Sequence, residues 1–116
     1  MAWEILYSEP FEEWWGDLTE PQQDALTARI ELLKERGPNL GRPTVDRIES
    51  SRHQNMKELR ASKDGALRVL FVFDPLRRAV FLLGGDKTGR WTEWYRTAVS
   101  IADDLYDEYL TAEGLT

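Results

Sequence analysis

The residues able to do chemistry in this chain are cationic and aromatic. Lys57, Arg60, Lys63, Arg68, Arg77, Arg78, Lys87, Arg90, Trp91, Trp94, Tyr95 and Arg96 crowd into residues 57–96. Guanidinium and ammonium groups bind phosphodiester oxygens, and aromatic rings at the rim of such a surface stack on unpaired bases. Other chemistries lack their residues. The 116 residues include no cysteine, which removes disulfides, thiolate zinc sites and cysteine nucleophiles. The single histidine, His53, argues against a His-based metal centre or a Ser-His-Asp triad. The glycine-rich run Gly84-Gly85-Asp86-Lys87-Thr88-Gly89 lacks the Gly-Lys-Ser/Thr ending of a nucleotide loop. No cofactor and no metal are expected.

Net charge is −6 at pH 7, which by itself argues against a nucleic-acid binder. Its distribution argues otherwise. Residues 1–28 and 97–116 carry no Lys or Arg, so all 15 basic residues fall in residues 29–96, against nine acids there. An acidic frame around a basic middle points to an anionic partner on one face, or to basic strands paired with acidic helices.

These residues need elements to position them. Trp3 to Tyr7 reads as a short strand, and Phe11 to Leu18 as a short helix with apolar residues at three- and four-residue spacing. Thr19 and Gln22 form a capping box that opens a longer helix, with the stripe Leu26, Ile30, Leu33, and Gly37-Pro38 ends it. Residues 38–55 read as loop. Met56 to Ala61, Leu67 to Phe73 and Ala79 to Leu83 read as a three-strand meander, with an Asp64-Gly65 turn and a longer loop over residues 74–78. A final helix runs from Trp91 to about Tyr109. Its acids Asp103, Asp104, Asp107 and Glu108 sit at the end where the helix dipole disfavours them, so a basic neighbour is expected. The order predicts one α+β domain over residues 1–116: a small curved, mostly antiparallel sheet, with the helices on one face. The first strand joins the sheet at a position the sequence does not fix. No apolar run is long enough to span a bilayer, and no basic leader precedes the first strand, so a soluble cytoplasmic protein is expected.

Alternation sharpens the site. Leu67, Val69, Phe71 and Phe73 share one face of their strand, and Arg68 shares the other with Leu70 and Val72. Glu58 and Arg60 share a face of the preceding strand. A half-buried arginine is costly unless it meets an anion, either a bound phosphate or an internal partner such as Glu58.

The run Met56-Lys57-Glu58-Leu59-Arg60, then Gly65, then Leu67-Arg68-Val69-Leu70-Phe71 resembles the core of RelE/ParE-superfamily toxins, specifically the phage-derived, HigB-like branch. The third strand, the turn containing Lys87 and the final helix are similar to that branch as well. Where many relatives carry a phenylalanine and paired lysines after the third strand, this chain has residues 85–90, Gly-Asp-Lys-Thr-Gly-Arg. The resemblance implies a type II toxin, a metal-independent endoribonuclease that cuts mRNA on the ribosome. It also implies a helix-turn-helix, HigA-like antitoxin as partner. A second implied reading is a non-nuclease toxin of the same fold that binds a protein such as DNA gyrase; a third is a catalytically weak homologue. On the first reading, Arg60, Arg68 and Lys87 are the expected catalytic cations, with Lys57, Arg90, Trp91 and Tyr95 contacting RNA. His53, in the loop ahead of the strands, is a further acid–base candidate. Arg68 is expected to face solvent or RNA.

Overall fold

The computed structural model describes residues 2–89 and 91–115, apart from the side chain of Trp91. The chain runs β1 (Glu4–Tyr7), α1 (Glu9–Gly16), α2 (Glu20–Arg36), a 3₁₀ turn (Gly37–Asn39), β2 (Val45–Arg47), β3 (Met56–Ser62), β4 (Ala66–Phe73), β5 (Arg78–Asp86) and α3 (Trp91–Ala112). The five strands form one sheet in the order β1-β5-β4-β3-β2. β1 lies parallel to β5 at one edge, and every other pairing is antiparallel.

Local chemistry sets the boundaries. Ser8 caps α1 by accepting the Phe11 N–H, and its own hydroxyl donates to the Leu82 carbonyl at 2.8 Å, fastening the helix start to β5. Thr19 and Gln22 cap α2 reciprocally. Asp64 and Gly65, both at positive φ, turn β3 into β4. Strand β2 lies inside the stretch that reads as loop; only three residues long, it pairs with β3 through Asp46 opposite Glu58.

The sheet is covered on both faces, which corrects the expectation of helices on one face. Phe11 of α1 and Leu26, Ile30 and Leu33 of α2 pack on Leu67, Val69, Phe71 and Phe81. Ala98, Val99, Ala102 and Tyr106 of α3 pack on Met56, Leu70, Val72, Val80 and Leu82. The reason is in β4 itself, where both side-chain parities are apolar, so each face needed a cover. Gly84 and Gly85 in β5 let the two helical layers close: a Cβ on Gly84 would stand 2.0 Å from Trp14 of α1, and one on Gly85 2.2 Å from Trp94 of α3.

The acids of α3 find their basic neighbour in the loop before β3 rather than in the sheet. Arg52 pairs with Asp103, Asp104 and Asp107, and the His53 ring nitrogen meets Asp107 at 2.8 Å. The Ser51 hydroxyl and the Arg52 N–H donate to buried Asp103. His53 stands edge-on to Tyr106, in this latch and not among the catalytic candidates.

Candidate active site

Strand register builds the site. Arg60 of β3 lies directly opposite Arg68 of β4, and Gly85 of β5 lies on the far side of Arg68. Two guanidinium groups side by side repel, so something anionic must lie between them. That anion is Glu58, two residues before Arg60 on the same face. Its carboxylate is 3% exposed. Oε2 accepts from Arg60 Nε at 3.1 Å and from a terminal Arg60 nitrogen at 2.9 Å. Oε1 accepts from the Tyr95 hydroxyl of α3, and Arg68 Nε stands 3.6 Å away.

Arg68 is therefore turned inward, which corrects the solvent-facing orientation expected from the sequence: the residue is 9% exposed. The apolar residues Leu70 and Val72 follow it on a face that α3 covers, and Glu58 supplies the internal anion that makes burial tolerable. One Arg68 terminal nitrogen donates to the Leu67 carbonyl at 2.8 Å, but its buried Nε has no hydrogen-bond partner. A buried guanidinium N–H without an acceptor is a costly group, offset here by the charge of the Glu58 carboxylate 3.6 Å away.

Lys87 reaches the same place from the turn after β5. Asp86 holds that turn: its Oδ1 accepts from the Thr88 N–H, the Thr88 hydroxyl and the Ala66 N–H, and the Lys87 N–H donates to the Ala66 carbonyl. The Lys87 ammonium lies 5.5 Å from the centre of the Tyr95 ring. Burial, aided by the charge of Arg68, pulls the Lys87 pKa below the usual lysine range. Burial, followed by the bond to Glu58, pushes the Tyr95 hydroxyl up to about 12, so it keeps its proton at neutral pH.

Outside this knot lies a concavity of about 620 Å³, whose lining includes Glu58, Arg60, Lys87, Tyr95, Asp46 and Arg47. Asp46 accepts from Arg60 at 3.0 Å through Oδ2. Thus Arg60, Arg68, Lys87 and Tyr95 are brought together. Lys57 is not: it shares a face with Leu59 and Ala61, on the α1–α2 side of the sheet, one residue out of phase with Glu58 and Arg60. Arg90 lies outside the described residues, as does the side chain of Trp91. Asp46 escaped the sequence reading because β2 is short and set among Pro, Gly and Ser; the alternation Val45-Asp46-Arg47 was its one signal. Among the described residues no group of three or more His, Asp or Glu side chains could hold a metal ion, and no helix is long and apolar enough to cross a membrane.

The fold is that of the RelE toxins. A double-mutant form of E. coli RelE in the free state superposes with a TM-score of 0.63 at 14% identity, covering 86% of this chain and 97% of that one. The isolated E. coli RelE toxin gives 0.51 at 12% identity, covering 84% of this chain and 99% of its own. The chain belongs to the family described as phage-derived protein Gp49-like, whose model matches residues 13–107. Two Mycobacterium tuberculosis relatives are named as toxins. HigB2 is 46% identical over 99 residues, 84% of this chain but 49% of its own length, so the chain spans about half of that relative. HigB3 is 44% identical over 102 residues, 88% of this chain and 89% of its own.

Proposed function

We propose that this protein is the toxin of a type II toxin–antitoxin pair and acts as an endoribonuclease on mRNA held at the ribosome. The observation that carries the reading is that Arg60 and Lys87 line one concavity, with Arg68 buried behind them beside Glu58. Kinship to the HigB proteins and the RelE-like fold support it. In the reaction, the ribose 2′-oxygen attacks the adjacent phosphorus, the P–O5′ bond breaks, and the 5′-oxygen takes its proton from solvent water. Arg60 and Arg68 stabilise the charge of the crowded phosphorane. Lys87, its pKa lowered by burial and by Arg68, is the residue suited to take the 2′-hydroxyl proton. Tyr95 enters through its hydroxyl, which holds Glu58. The partner is a helix-turn-helix antitoxin of HigA type, and the setting is the cytoplasm.

Pulse labelling after induction tests this. Protein synthesis is expected to stop before DNA synthesis, with cuts inside translated messages. DNA synthesis failing first favours the gyrase-binding alternative, and undisturbed growth overturns both.

A further inference from the structure

Two carboxylates compete for Arg60, and they are held differently. Glu58 is 3% exposed, and three donors from Arg60 and Tyr95 fix it. Asp46 stands at the mouth of the concavity on the three-residue edge strand β2, with its side chain 20% exposed. Its two oxygens have separate duties. Oδ1 accepts from Arg42 Nε at 3.1 Å and from the Arg47 N–H at 2.8 Å. Oδ2 accepts only from Arg60, at 3.0 Å. A rotation that releases Arg60 would leave Oδ1 with partners of its own, so the carboxylate is not stranded. Arg42 is itself 79% exposed and can follow that movement.

We propose that Asp46 is a displaceable counter-ion, its Oδ2 occupying on Arg60 the place of an RNA phosphodiester oxygen, so that RNA enters the site by pushing Asp46 aside. The proposal rests on the RNA-cleaving reading above. A carboxylate and a phosphodiester present the same acceptor geometry to a guanidinium, and both make charge-assisted bonds with it. A lone anion gains little by the exchange. A strand that also reaches Lys87 and the Tyr95 ring, which line the same concavity, gains enough contacts to drive it, which makes Asp46 a filter against short or weakly held anions.

The test is fluorescence anisotropy with a single-stranded RNA oligonucleotide that is 2′-O-methylated throughout and cannot be cut, so binding is read apart from cleavage. Asp46→Asn is expected to bind about fivefold more tightly than the unaltered protein, as removal of a partly exposed competing ion pair implies. Glu49→Gln removes an exposed acid from the same concavity and is expected to change binding less than twofold. In an Arg60→Gln background the gain from Asp46→Asn is expected to vanish. Asp46→Ser, whose hydroxyl still suits the Arg47 N–H, repeats the measurement in a second folded background checked by thermal melting. The proposal is overturned if Asp46→Asn gains no more than Glu49→Gln, or gains equally without Arg60. Failure of every form to bind the free oligonucleotide overturns this inference, whereas the ribosome-held reading falls only with the pulse-labelling outcome above. Binding that depends on Arg60 but ignores Asp46 overturns this inference alone.

Discussion

Two knots of the same parts lie on the α3 face of the sheet, and their charges balance differently. Each has a buried carboxylate, an arginine from the same strand or loop, and a tyrosine hydroxyl from α3. At the far knot, Asp74 is 5% exposed. Its Oδ1 accepts from the N–H groups of Leu76 and Arg78, and its Oδ2 accepts from Arg78 Nε and the Tyr109 hydroxyl. Each Asp74 oxygen has two donors, and Arg78 also pairs with Glu113 at 3.0 Å, one cation for two anions. At the near knot two carboxylates, Glu58 and Asp46, meet two arginines with Lys87 beside them, and the buried Arg68 Nε has no hydrogen-bond acceptor. A satisfied knot is a rivet. The surplus of positive charge at the other is the ground on which it is proposed as a site.

The contrast breaks most visibly at Asp74. Asp74→Ala strips a buried carboxylate from Arg78 and Tyr109 and is expected to cost about 3–5 kcal/mol in urea unfolding. The sign with pH follows. Burial raises the Asp74 pKa, but the Tyr109 and Arg78 bonds outweigh it and hold the group below the usual carboxylate range. Its stabilisation is therefore full above the unfolded value of about 4 and is lost as pH falls through the lowered folded one. Asp74→Asn should flatten that acid limb.

Arg68→Ala should do the reverse. Loss of a cation that stabilises the phosphorane is expected to slow cleavage by about 10²–10³. The stability lost should be smaller than for Asp74→Ala, because Glu58 keeps Arg60 and Tyr95. Retention of full toxicity would remove Arg68 from the chemistry. Unfolding as severe as that of Asp74→Ala would make the near knot a second rivet.

The glycine pair separates the faces more finely. Gly84→Ala and Gly85→Ala each force an indole to move, at about 1–3 kcal/mol for overpacking. Trp94 touches Tyr95 edge-on at 5.0 Å, whereas Trp14 lies across the sheet. Cleavage should therefore fall beyond the loss of folded protein in Gly85→Ala only. Equal effects on cleavage would show that the site does not sense Trp94. The smallest effect is spectroscopic. Tyr95 holds its proton up to about 12, so its contribution to stability is present below pH ~10 and is lost as pH rises through the folded value. Tyr95→Phe should delete that late step from the tyrosinate absorbance titration.

Much of this arrangement is legible in the residues, and the gaps have physical causes. Alternation in residues 67–73 places Arg68 opposite Val69 and Phe71, and the α2 capping box falls where Thr19 and Gln22 put it. The same strand carries Leu70 and Val72 on its second face, a demand for a second helical layer that the one-face expectation overlooked. The place of β1 had no local signal, because a parallel pairing needs no turn between its strands. Asp46 was hidden for the same kind of reason: a three-residue strand shows too little alternation to stand out from a loop. Strand parity also explains Lys57, a cation within the right segment but on the wrong side of the sheet.

The parallel edge has a consequence for the order of synthesis. β1 pairs Glu4 with Arg78 and Tyr7 with Phe81, and the Ser8 hydroxyl bonds Leu82 across 74 positions of sequence. The first strand therefore leaves the ribosome well before its neighbour exists, a wait of roughly 4–15 s at about 5–20 residues per second. Through that interval Ile5 and Phe11 have no Phe81 to pack against, while the β3–β4 hairpin with Glu58, Arg60 and Arg68 closes by local contacts. A nascent chain thus carries its arginines in register before the edge pairing and the Lys87 turn complete the molecule.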